Sequence, residues 1–184
     1  MIKFKKLLFV AALAIFALSA CNGSAEETES TTVETVGTAV GTQNATENVA
    51  VPAWFSLPVN GFVIELNQDI QIVLNNLGEP LGMFEAPSCA FDGIDRIFSF
   101  PGLQIHTYPV GDNDFVHTIS IRDDSISTTN GIYLGSGFAD MLEAYGTDYI
   151  EEFGMYTFTN GRYTLEFFVE NDIIMGITYG FIIE

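Results

Sequence analysis

A helical spacing of apolar residues occurs twice in this sequence, 68 residues apart, with matching segments after each copy. When "VIELNQDIQIVLNNLGEP" is placed over "GIYLGSGFADMLEAYGTD", Ile64 meets Ile132, Leu66 meets Leu134 and Ile70 meets Phe138. Val73 and Leu74 fall on Met141 and Leu142, Leu77 on Tyr145 and Gly78 on Gly146. Ile70, Val73, Leu74 and Leu77 follow the i, i+3, i+4, i+7 rule of a helix with one apolar face, and so do Phe138, Met141, Leu142 and Tyr145. Asn67 and Ser136 stand where N-caps are expected, and Gly78 and Gly146 where a helix-terminating glycine is expected. After the first helix come "RIFSFPGLQIHTY" and "FVHTISI"; after the second come "MYTFTNGRYTLEFF" and "IIMGITY". Each set reads as three antiparallel strands, with "GDND" and "END" as turns between the last two. A periodicity of this length constrains the chain to build one supersecondary unit twice. The fold class is therefore expected to be α+β, two helix-plus-antiparallel-meander repeats covering about 62–124 and 129–184.

Alternation within the strands assigns the faces. In "YTLEFFV", Tyr163, Leu165 and Phe167 form one side, suited to lie under the helices, and Thr164, Glu166 and Phe168 form the other. The opposite face is then expected to carry Glu166 and Phe168 with Gln104, His106 and Tyr108 from the equivalent strand of the first repeat. Left open, those side chains form a candidate binding face. In the alternative arrangement the two repeats pack against each other and bury them.

The duplicated helix-plus-meander resembles the domains of β-lactamase-inhibitor-like proteins and the related small outer-membrane-assembly lipoproteins. "PSCAFDGIDRIFSF", "IHTYP" and "DDSISTTNGIYLG" are also similar to segments of a group of uncharacterised lipoproteins from Gram-positive anaerobes. The resemblance spans most of 62–179. It implies a small sheet-rich domain; the inhibitor proteins bind through a concave sheet face with exposed aromatics, and no motif transfers residue by residue.

The N-terminus reads as an address. Lys3, Lys5 and Lys6 precede an apolar run from Leu7 to Leu18 and the small pair Ser19-Ala20, the layout of a secretory signal peptide. Leu7 to Leu18 is shorter than the roughly 20 residues a spanning helix needs. Leu18-Ser19-Ala20-Cys21 resembles the lipobox of bacterial lipoproteins, which implies cleavage before Cys21 and a diacylglyceryl group on its thiol; two acyl chains give a stable anchor. Residues 21–51 are mostly Ser, Thr, Glu, Ala, Gly and Val with no aromatic residue, too little apolar surface to offset the entropy of ordering, and are expected to be a disordered tether. The expected division is a signal peptide at 1–20, the lipidated cysteine and tether at 21–51 and one domain at 52–184. The expected location is the extracytoplasmic face of the cell membrane.

Charge narrows the partners. The chain has a formal charge of −18, and without the three lysines of the leader its 24 acids face only Arg96, Arg122 and Arg162. Such a surface repels nucleic acid and anionic head groups.

Chemistry-bearing residues are few. His106 and His117 lie on strands expected to pair. The register that sets Ile105 against Ile119 and Leu103 against Ile121 opposes His117 to Thr107 and puts His106 on the other face, which disfavours a shared metal ion. Asp112-Asn113-Asp114 and Asp123-Asp124 lack the spacing of a calcium loop. Cys89 is far from basic residues and is expected to be a buried small side chain. Ser136 lacks the Gly-x-Ser-x-Gly spacing of a nucleophile elbow, and there is no phosphate loop or dinucleotide fingerprint. No cofactor is expected. The reading is a lipid-anchored extracytoplasmic protein, a non-enzymatic module for a protein partner, with the membrane reached through Cys21. The alternatives are an enzyme using Cys89 or a histidine and a structural component of an envelope assembly.

Overall fold

A computed structural model describes residues 53–183. The leader, Cys21 and the tether at 21–51 lie outside the described residues. A 3-10 turn, Ala53–Phe55, leads into the hairpin β1 (Ser56–Val59) and β2 (Phe62–Glu65). Its two turn residues are Asn60 and Gly61, both with positive φ, at 51° and 83°, the geometry that Asn-Gly favours. Helix α1 (Ile70–Leu77) follows, then strands β3 (Gly82–Pro87), β4 (Ile94–Phe100), β5 (Leu103–Val110) and β6 (Asn113–Ile121). Helix α2 (Phe138–Tyr145) precedes β7 (Ile150–Glu152), β8 (Met155–Thr159), β9 (Tyr163–Glu170) and β10 (Ile173–Phe181). The class is α+β, an antiparallel sheet with two helices.

Each helix is entered through the same pair of backbone bonds. The Asn67 N–H donates to the Val116 carbonyl at 2.7 Å and the Val116 N–H to the Gln68 carbonyl at 2.8 Å. In the second half the Gly135 N–H donates to the Ile174 carbonyl and the Ile174 N–H to the Ser136 carbonyl, both at 2.9 Å. These bonds tie 67–68 and 135–136 to the neighbouring strands, with Asn67 and Gly135 in turns of positive φ (61° and 103°), and the extended cap residues are Asp69 and Gly137 rather than Asn67 and Ser136. The Asp69 carboxylate accepts from the Gln71 N–H at 2.8 Å. At the second helix the Asp140 carboxylate accepts from the Gly137 N–H at 3.1 Å. Both helices stop at glycines of positive φ, Gly78 and Gly146, whose N–H groups return to Leu74 and Leu142.

Each helix is followed by four strands, not three. β3 and β7 were missing from the sequence reading, and they are the two edges of one eight-stranded sheet ordered β3-β4-β5-β6-β10-β9-β8-β7. The meanders join edge to edge where β6 pairs with β10, Ile121 opposite Ile177 and Ile119 opposite Tyr179. The arrangement in which two sheets bury each other's faces does not occur.

Register then sorts the side chains. Leu103 and Ile105 oppose Ile121 and Ile119, which oppose Ile177 and Tyr179, which oppose Phe167 and Leu165. All eight are buried and form one core with Ile70 and Val73 of α1 and Met141 and Tyr145 of α2. The two helices therefore cover one face. On the other face a row of polar side chains crosses the strands: Ser99, Gln104, Ser120, Thr178, Glu166 and Thr157 are cross-strand neighbours, each partly exposed.

Candidate functional site

Four of the five side chains expected on the uncovered face are at least partly exposed there. Gln104 and Glu166 lie in the polar row, with the Gln104 amide donating to the Ser99 hydroxyl at 3.3 Å. His106 pairs with Thr118 and Ile97. Phe168 opposes Met155 on β8 and is 39% exposed. Tyr108 is a correction: it is 7% exposed. The register of β5 and β6 breaks between His106 and Thr107, so face alternation does not carry through to Tyr108. Its ring is packed among Phe91, Phe115, His117 and Phe181. Its hydroxyl donates to the Asn67 side-chain oxygen. It belongs to the interior and is no surface anchor.

The most exposed aromatic is one that the sequence reading did not single out. Phe153 is 99% exposed. With Gly154 it forms the two-residue turn between β7 and β8, at φ 53° and 80°. A turn of this kind is built best from Asn-Gly, and a bulky residue at its first position is strained by about 1 kcal/mol. The turn is nevertheless held in place. The Gly154 N–H donates to the Glu151 carboxylate at 3.2 Å. The Gly154 carbonyl accepts from the Val169 N–H at 2.8 Å. A side chain on Gly154 would meet the Val169 carbonyl at 3.1 Å, so this glycine is required twice over, by φ and by space. Exposed Phe168, Ile173 and Met175 lie on the adjoining β9 and β10. The acids nearby are Glu151, Glu152, Glu170 and Asp172, and 150–181 contains one basic residue, Arg162, in the turn at the far end of β9. Partial desolvation first, then the facing Glu151, Tyr149 and Asp172, hold the Tyr156 hydroxyl above its ordinary pKa.

The histidines are a second correction. Thr107 opposes Val116, not His117, and His117 is the extra residue of the register break. A bulge of this kind lets consecutive residues share a face, and His106 and His117 line the same cleft, about 260 Å3 in volume. Burial first, then the facing His117 and Arg122, push the His106 pKa below the usual histidine value. The sign of the effect on stability follows: the unfolded chain binds the proton more readily, so the contribution is present above the unfolded pKa of about 6.5 and is lost as pH falls through the folded one. His106→Gln is expected to flatten the decline in unfolding midpoint between about pH 7 and 5. Parallel midpoint-versus-pH curves for the variant and the parent would contradict this.

The remaining candidates separate cleanly. Cys89, expected to be buried, is exposed. It lies in the turn where the Ser88 hydroxyl accepts the Ala90 and Phe91 N–H groups, and Phe91 rather than Cys89 takes the inward position. Asp114 is paired with Arg96, and Asp123 caps its own turn by accepting from Ser125. Among the described residues no three His, Cys, Asp or Glu side chains gather as a metal ion would require. Two larger clefts, about 480 and 460 Å3, border Ala53 and Ile183 at the ends of the described region. Their only ionised residues are Asp148 and Arg162.

No family model matches the sequence, and no curated protein does. Among solved structures, the chain is similar to an extracellular protein containing an SCP domain from Bacillus anthracis str. Ames, with 11% identity and a TM-score of 0.39. The similarity covers 62% of this chain and 43% of that one, so this chain spans less than half the length of the protein it matches. Among the described residues no helix is long and apolar enough to cross a membrane.

Proposed function

We propose that this chain is a lipid-anchored, extracytoplasmic binding module, its domain a tandem repeat of the β-lactamase-inhibitor-like kind, which captures a protein partner through the β7–β8 hairpin. The anchor rests on the basic start, the apolar run and Leu18-Ser19-Ala20-Cys21. The repeat rests on the 68-residue offset and on the matched backbone bonds at Asn67, Val116, Gly135 and Ile174. One observation carries the binding function: a fully exposed phenylalanine is presented in a strained backbone conformation by a braced turn. Folding alone gives no reason to keep Phe153 there, since Asn would be more stable. A rigid aromatic loses little freedom on docking, which makes it an effective anchor. The surrounding Glu151, Glu152, Glu170 and Asp172 select the partner: an apolar pocket with a basic rim.

Phe153→Asn is the test, because it suits the turn and removes the anchor. The variant is expected to unfold at the same midpoint or higher, by about 1 kcal/mol of relieved strain. Partner capture from the envelope of the native host is expected to fall at least tenfold, and capture by the parent is expected to weaken with added salt. Undiminished, salt-independent capture by Phe153→Asn would sink the proposal. The anchor has its own test: Cys21→Ser is expected to abolish incorporation of labelled fatty acid, and equal label in the variant would overturn the lipid attachment.

A further inference from the structure

The two edges of the sheet, β3 and β7, are built differently. β7 is three residues long and carries Glu151 and Glu152, the short, charged form that discourages strand addition. β3 runs for six residues with a single charge, Glu85, whose carboxylate is held by Arg96 at 3.3 Å. Leu81, Met83 and Phe84 are exposed along it. The pairing with β4 fixes which backbone groups look outward. The Ser88 N–H donates to the Gly93 carbonyl at 3.0 Å, and Ala86 opposes Asp95 and Phe84 opposes Ile97, so the even-numbered residues turn their N–H and C=O groups toward β4. Met83, Glu85 and Pro87 turn theirs away, and Pro87 has no N–H. The Leu81 N–H is taken by the Ser99 carbonyl at 2.8 Å. The outer side of β3 therefore offers two donors, Met83 and Glu85, and among the described residues no strand meets them.

We infer that β3 pairs antiparallel with β3 of a second copy of this chain, about a two-fold axis at Phe84. The segment is its own complement in that register. Met83 of each copy opposes Glu85 of the other, and every outward donor meets an outward carbonyl. Leu81, whose N–H is occupied, opposes Pro87, which has none. Phe84 opposes Phe84 at a non-hydrogen-bonded position, where side chains approach most closely and an aromatic pair stabilises the seam. The pair lies on the face that the helices leave open, since Phe84 continues the row of Ile97 and His106. An axis at Glu85 would set two carboxylates against each other, and an axis at Met83 would set Phe84 against Gly82 and lose the aromatic pair. A two-fold seam is closed and consumes the open edge of both copies. It lies at the far side of the sheet from the β7–β8 hairpin and does not depend on the function proposed for that hairpin.

The full chain carrying Cys21→Ser, in a mild detergent, provides the test. A seam this short is at the low end of interface sizes, so the protein is studied at roughly 0.5 mM. A nitroxide on Cys89, the one thiol left and five residues beyond Phe84 in each copy, is expected to report a spin–spin distance on the order of 30 Å. With Cys89 also replaced by Ser, Phe84→Cys is expected to form an intermolecular disulfide, because opposed non-hydrogen-bonded positions have the right Cα spacing, and Gly82→Cys is expected to form none. Met83→Pro removes an outward donor without touching the ladder to β4, and Phe84→Glu sets like charges face to face; each is expected to weaken association at least tenfold at an unchanged unfolding midpoint. Association of the parent is expected to tighten with added salt, since both copies are strongly acidic, the opposite of capture of a basic partner. The inference is overturned if Phe84→Cys gives no disulfide, if Gly82→Cys cross-links as well, or if association survives Phe84→Glu. A monomer whose Met83 and Glu85 amides are protected from hydrogen exchange overturns it too, and gives the edge to the chain's own residues 22–52. Should Met83→Pro fail to fold, Phe84→Glu and the cross-links decide the matter.

Discussion

Tyr108→Ala is expected to cost about 3–5 kcal/mol, the range for removing a large buried aromatic. For a domain of this size that lowers the unfolding midpoint by roughly 10–20 °C. The ring fills a site walled by Phe91, Phe115, His117 and Phe181, on two strands and a loop, so the surroundings cannot close over the cavity without moving the register break between β5 and β6. Truncation also strands the side-chain oxygen of Asn67, which the hydroxyl served. Tyr108→Phe separates the two terms and is expected to cost about 1 kcal/mol. Phe168→Ala is the contrasting case: its ring is 39% exposed and opposes only Met155 and Gly176, beside the bulge at Met175, so about 1 kcal/mol is expected. Denaturant midpoints for the three variants give the ordering. A loss from Tyr108→Ala no greater than that from Phe168→Ala would return Tyr108 to the surface.

Gly102→Val is expected to be nearly as damaging, about 3–4 kcal/mol, from left-handed strain and overpacking together. Gly102 turns the chain from β4 into β5 at φ 74°, and a Cβ there would lie 2.7 Å from the Ser125 hydroxyl oxygen and 2.9 Å from both Asp123 Oδ1 and the Ile126 side chain. Those neighbours cannot easily give, because Ser125 and Asp123 are tied to each other and the Arg122 N–H is bonded to the Gly102 carbonyl at 2.8 Å. Gly111 isolates the backbone contribution. Its φ is 61° but nothing lies within 4 Å of a Cβ built there, so Gly111→Ala is expected to cost only about 1–2 kcal/mol. Equal losses from Gly102→Val and Gly111→Ala would show that crowding against the Asp123–Ile126 segment plays no part.

What sequence alone conveys about this domain depends on whether a segment has a buried side. The helices were legible because Ile70, Val73, Met141 and Tyr145 recur at helical spacing and are indeed buried. The pairing of Leu103 with Ile121 and Ile105 with Ile119 was legible because a slip would put apolar side chains in water. β3 and β7 were illegible for the converse reason. They are the sheet edges, nearly all their residues are exposed, and no alternation marks them. The hairpin β1–β2 did carry a signal, Asn60-Gly61 between apolar runs, which was overlooked. The site depended on information of a different kind. The extra residue at His117 that brings the two histidines into one cleft is a property of the pairing between strands, and no local pattern announces it. Phe153 was visible as a phenylalanine before a glycine between strand-like runs, but its exposure and φ become meaningful only with the turn in place.

The order of strands in the sheet differs from their order along the chain in one consequential respect. β10 is the last of the described strands along the chain and sits fifth of eight, between β6 and β9. Until residues 173–181 have emerged, the two meanders have no shared strand, and the backbone donors and acceptors along β6 and β9 that β10 will satisfy stand unpaired. Such edges invite pairing with other chains. The risk of misassembly is thus concentrated in the interval before β10 takes its place between β6 and β9. Loss of β10 would leave two half-sheets rather than one slightly shortened sheet, so residues 173–181 act as the clasp of the whole domain.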